Sequence, residues 1–140
     1  MEPMKVFNTT SGKELAGDLL LAESLLSRMK GLLGRRALAS GEGLWIRPCK
    51  GVHTFGMRFP IDLLFLDREL RVIAVTRDLA PNRLTRIHMK AASVLELPSG
   101  MAASTTTVVG DQLSVRTPTE YSAVESGRAQ LPLTYSIPLF

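Results

Sequence analysis

Between Pro48 and Asp62 the chain gathers its only cysteine, Cys49, one of its two histidines, His53, and then Thr54, Arg58 and Asp62. A thiol, an imidazole and a carboxylate are the parts of an activated nucleophile. His53 can take the Cys49 proton, and Asp62 or Glu96 can orient the ring, for acyl transfer or hydrolysis. Cys49 and His53 have a spacing that would place them on one face of a helix, but Pro48, Gly51 and Gly56 oppose a helix there, so contact depends on the path of a loop. The same residue types also suit binding. Arg58 offers a two-pronged donor fork, Thr54 a hydroxyl and His53 a further donor, while the glycines let a carboxylate or phosphate approach backbone N–H groups. The candidate catalytic residues are therefore Cys49, His53 and Asp62, and the candidate ligand-binding residues are Thr54, Arg58 and His53, with a small anionic ligand as the expected partner. A third reading needs no ligand: Cys49 is an inert apolar group, His53 is satisfied by backbone, and an Arg58–Asp62 ion pair fixes the loop.

Two other chemistries find less support. His53, Cys49, Asp62 and His88 are acceptable zinc ligands, but no CxxC, HxxxH or HExxH spacing joins them, so neither a metal nor a cofactor is expected. Trp45, Phe55 and Phe59 could stack on bases while Arg35, Arg36, Arg47 and Lys50 meet phosphates. Aromatic residues at strand positions are more often core, and no helix-turn-helix, zinc-finger or RNA-recognition signature is present, so nucleic acid is not an expected partner.

The charge distribution is compatible with an anionic partner, though the solvated faces and loop ends of an ordinary basic protein account for it as well. Of the net +4, residues 28–58 carry seven cations against Glu42 alone, and a second basic excess follows in Arg68, Arg71, Arg77, Arg83, Arg86 and Lys90 against Glu69 and Asp78. The 140 residues, 45% hydrophobic, suit one domain with one core. No apolar run approaches the ~20 residues needed to cross a bilayer, and no signal peptide is readable, so a cytoplasmic location is expected. A single cysteine, which cannot form an internal disulfide, agrees with that.

The elements that must position these residues are mostly strands. Met4 to Asn8 and Leu15 to Leu21, separated by Thr9-Thr10-Ser11-Gly12, read as a hairpin. Leu25, Leu26, Met29, Leu32 and Leu33 recur at helical spacing between Ser24 and Gly34, which predicts one principal helix over 23–33. Gly43 to Arg47 reads as a short buried strand, and Ile61 to Leu66 with Leu70 to Thr76 as a second hairpin about Asp67-Arg68-Glu69. After a connecting loop over 79–86, Ser93 to Leu97 is a strand, Met101 to Thr105 a helical turn and Gln112 to Arg116 a last strand. The expectation is an α+β domain over residues 1–116, its strands mostly antiparallel in a curled sheet or small barrel, with residues 117–140 as a disordered or docked tail.

Several linked motifs carry a family resemblance over roughly residues 4–116. They are Arg28-Met29-Lys30-Gly31-Leu32-Leu33-Gly34-Arg35, then His53-Thr54-Phe55-Gly56-Met57-Arg58-Phe59-Pro60-Ile61-Asp62 with Phe65-Leu66-Asp67, then Val94 to Gly100, and Gly110-Asp111. In these the chain resembles the uncharacterised family called domain of unknown function 192, or UPF0127. The resemblance implies a compact α+β fold and no established activity. Some branches of that family have a Trp-Met pair at Gly56-Met57 and no counterpart of Cys49 or His53, so the resemblance assigns neither residue a shared catalytic role.

Overall fold

The computed structural model describes residues 4–23, 37–117 and 120. Seven strands form one sheet: β1 (Met4–Asn8), β2 (Lys13–Ala22), β3 (Glu42–Ile46), β4 (Ile61–Leu66), β5 (Val72–Leu79), β6 (Ser93–Pro98) and β7 (Leu113–Arg116). One short helix, α1 (Met101–Ser104), is the only helical element longer than a turn among the described residues. The principal helix expected over 23–33 and the tail after residue 116 lie outside the described residues, apart from Glu23, Thr117 and Glu120.

The spatial order is β5-β4-β6-β3-β2-β1-β7. Every neighbouring pair is antiparallel except β2 and β3, which run parallel with Leu20 opposite Leu44. A parallel pair needs a long crossover, and residues 23–41 supply it. The sheet curls until its outer strands meet at one corner. There Val72 N donates to Asp111 O at 2.9 Å and Leu113 N to Leu70 O at 3.0 Å, so the sheet is a half-barrel.

Both faces of the central strands are covered, which explains the unbroken apolar run of β4. Leu64 and Leu66 point into the curl with Leu95, Leu97, Trp45 and Ala102 of α1, forming the inner core. Ile61, Leu63 and Phe65 point to the other face and pack with Val94, Ile46, Val52 and Met57. Fully burying a side chain the size of Phe65 stabilises by roughly 2–3 kcal/mol. Turn chemistry sets the hairpins: Asn8 Oδ1 accepts from the backbone of Thr10 and Ser11, and Asp67 Oδ1 from Glu69 and Arg71.

Candidate functional site

The Cys49–Pro60 segment is neither helix nor isolated loop. It runs antiparallel to residues 83–88 as an irregular ribbon, tied by Thr54 N to Arg83 O at 2.9 Å, Thr85 N to Val52 O at 2.9 Å and His88 N to Lys50 O at 2.8 Å. Residue alternation divides its side chains. Val52 and Thr54 turn inward and are buried, while His53 and the opposite Leu84 turn outward and are exposed.

Thr54 fastens the ribbon. Its hydroxyl donates to Ala80 O at 2.7 Å and accepts from Arg83 N at 2.9 Å, and its carbonyl accepts from Asn82 N and Met57 N. The residue is fully buried, and these bonds engage all its polar groups. Its chemistry is therefore spent on backbone.

The candidate nucleophile and its partners are not brought together. The Cys49 thiol donates to Gly51 O at 3.1 Å, whereas the His53 ring is exposed and stacks on Phe55 with centroids 5.4 Å apart. No hydrogen bond joins Cys49 to His53 among the described residues. Asp62 lies across the sheet from the ribbon: β4 alternation aims it into the curl beside Leu64, while Cys49 packs on the opposite core. There Asp62 Oδ2 accepts from Gly100 N at 3.1 Å and Ala102 N at 2.8 Å, and Oδ1 from Asp78 N at 2.8 Å. It caps the start of α1 and ties that helix to the β5 edge. This position also precludes the expected Arg58–Asp62 ion pair, and Arg58 is exposed.

Glu96, the other carboxylate considered for orienting the imidazole, stands on the outer face between Leu44 and Leu63. It is buried, Oε2 has no hydrogen-bond partner, and desolvation pushes its pKa up to about 7. Among the described residues no group of three His, Cys, Asp or Glu could hold a metal ion. His88 packs on Phe65, ring centroids 4.2 Å apart. Trp45 is buried in the inner core, so its ring is closed to a stacking base.

A cleft of about 530 Å³ opens beside the ribbon, within the ~300–1,000 Å³ range of small-molecule sites. It is walled by Arg47 and Pro48 after β3, Lys50, Arg68 from the β4–β5 turn, and the Met89–Ala92 segment before β6, with Glu23 at its rim. Among the described lining residues four are cations and one is an acid. Arg47 Nε meets Glu23 Oε2 at 2.9 Å, and its guanidinium carbon lies 4.5 Å from the centre of the Trp45 ring. Lys50 Nζ donates to Met89 O at 2.7 Å and Ala91 O at 2.8 Å, which holds the wall together. Arg68 and Lys90 are exposed and form no ion pair with any described residue. Neither emerged from the sequence as a site residue. The basic excess over 68–90 was the available signal.

Comparison with known proteins gives a family but no reaction. Residues 6–115 match the DUF192 family, described as uncharacterised ACR. A UPF0127 protein of Pyrococcus horikoshii is 30% identical over 111 residues, covering 77% of this chain and 96% of that protein. Another from Pyrococcus furiosus is 31% identical over 111 residues, covering 77% and 95%. Among solved structures, a protein of unknown function from Novosphingobium aromaticivorans superposes with a TM-score of 0.70 at 24% identity, covering 80% of this chain and 83% of that one. That likeness is one of fold.

Proposed function

The chain belongs to the DUF192 family, and we propose that it is a binding domain for a small anionic ligand, a phosphorylated or polycarboxylate molecule, held in the basic cleft. The observation that carries this reading is the convergence of Arg47, Lys50, Arg68 and Lys90 on one cleft with Glu23 as the lone acid among the described lining. Arg68 and Lys90 supply the donors open to a ligand, Lys50 stiffens the wall, and Arg47 is oriented by Glu23 and Trp45. Thr54 contributes indirectly by fixing the ribbon that carries Lys50. His53 and Arg58 stand outside the cleft lining. The protein acts in the cytoplasm on this reading, where its single thiol stays reduced.

Calorimetric titration with inorganic phosphate and with citrate tests it. Each of Arg68→Ala and Lys90→Ala weakens binding about tenfold, the worth of one charge-assisted hydrogen bond, and added salt weakens it further. Equal affinity in wild type and both variants would remove the cleft from consideration.

A further inference from the structure

The outward face of the ribbon carries a feature that the cleft does not use. Phe55, Leu84 and Ile87 stand on it 52%, 71% and 63% exposed. They share one face: His53 pairs with Leu84 across the ribbon and stacks on Phe55, while Ile87 lies over Gly51, so close that a Cβ there would meet Ile87 Cδ1 at 2.6 Å. A glycine at that position lets the isoleucine cross the ribbon. The two segments of the ribbon carry charge of one sign. Residues 49–60 and 80–92 contain Lys50, Arg58, Arg83, Arg86 and Lys90 and no aspartate or glutamate.

The geometry points to a docking face for an anionic lipid bilayer surface. Large apolar side chains that project this far offer their area to an apolar phase without needing a matching pocket, as insertion at the acyl boundary requires. A protein partner would have to supply a cavity for each. The interspersed arginines meet lipid phosphates and carboxylates at headgroup level, with their stems lying along the apolar strip. Phe55, Leu84, Ile87, Arg83 and Arg86 are not among the lining residues of the cleft; of the ribbon's cations only Lys50 and Lys90 also line it.

Sedimentation of the full chain with vesicles tests it, using phosphatidylcholine alone and phosphatidylcholine mixed with phosphatidylserine. Binding to the mixed vesicles, lost in pure phosphatidylcholine and weakened by salt, is the expected result. Arg86→Glu lowers that binding about thirtyfold, two charge units at ~1 kcal/mol each. Leu84→Asn and Ile87→Asn each lower it about tenfold. All three side chains are exposed, and unchanged thermal unfolding confirms intact variants. No sedimentation of wild type with mixed vesicles overturns the inference. So does binding that responds to Arg86→Glu but not to the two asparagines, which would describe a purely electrostatic face for an acidic macromolecule.

Discussion

Glu96→Gln stabilises the protein above neutral pH and not in acid. Glu96 is 4% exposed between Leu44 and Leu63, its Oε2 is unpartnered, and burial raises its pKa from 4.5 to about 7. Because the folded state holds this proton more tightly than the unfolded chain, it binds more protons between pH 4.5 and 7, and stability falls as pH rises through that window. At about 1.4 kcal/mol per unit the full shift is worth about 3 kcal/mol. Glutamine keeps the shape and removes the ionisation, while its amide brings unmet donors that cost about 1 kcal/mol. The variant is therefore more stable than wild type above pH 7 by about 2 kcal/mol, and the advantage vanishes or reverses near pH 4.5. Urea unfolding of both proteins across this range measures it, and all other titrating groups cancel in the difference. Parallel stability curves for the two proteins would refute the desolvation argument.

Asp62→Asn replaces one acceptor oxygen of the α1 cap with a donor and lowers stability by about 3–5 kcal/mol, since charge-assisted bonds to buried backbone donors are lost; a shift of less than about 1 kcal/mol in chemical unfolding would contradict the capping role. Thr54→Val leaves Ala80 O and Arg83 N without their buried partner, and costs about 2–3 kcal/mol. Faster amide exchange at Arg83 and Thr85 is its local signature; exchange unchanged there would mean that the ribbon is held by something else. For Cys49, His53→Ala leaves the rate of alkylation unchanged at every pH, because the thiol bonds to Gly51 O and the imidazole stacks on Phe55. A slower reaction in His53→Ala would restore the coupled nucleophile.

Local chemistry made much of the sheet legible. Thr9-Thr10-Ser11-Gly12 marks the first hairpin and Asp67-Arg68-Glu69 the second, and the apolar run of β4 reads correctly as a strand. The parallel pairing of β2 with β3 was not legible, because it is a long-range register that neither strand encodes alone. The site divides the same way. Cys49, His53 and Asp62 are near in sequence, yet strand alternation sends Asp62 to the far face of the sheet, an outcome that could have been read from its place between Ile61 and Leu63. Arg68 belongs to a hairpin turn and Lys90 to a loop, and only the stacking of strand ends places them beside Arg47 and Lys50. Their convergence was present in the sequence only as an unlocated excess of charge.

The cleft can be tested most directly by following the backbone amide resonances of the whole chain as inorganic phosphate is added at constant ionic strength. Binding in the cleft predicts saturable shifts confined to Glu23, Arg47, Lys50, Arg68 and Met89–Ala92, abolished together in the Arg68→Ala, Lys90→Ala double variant. Saturable shifts centred on His53, Thr54 and Arg58 instead, or none that saturate, would contradict an anion site built from the four cations of the cleft.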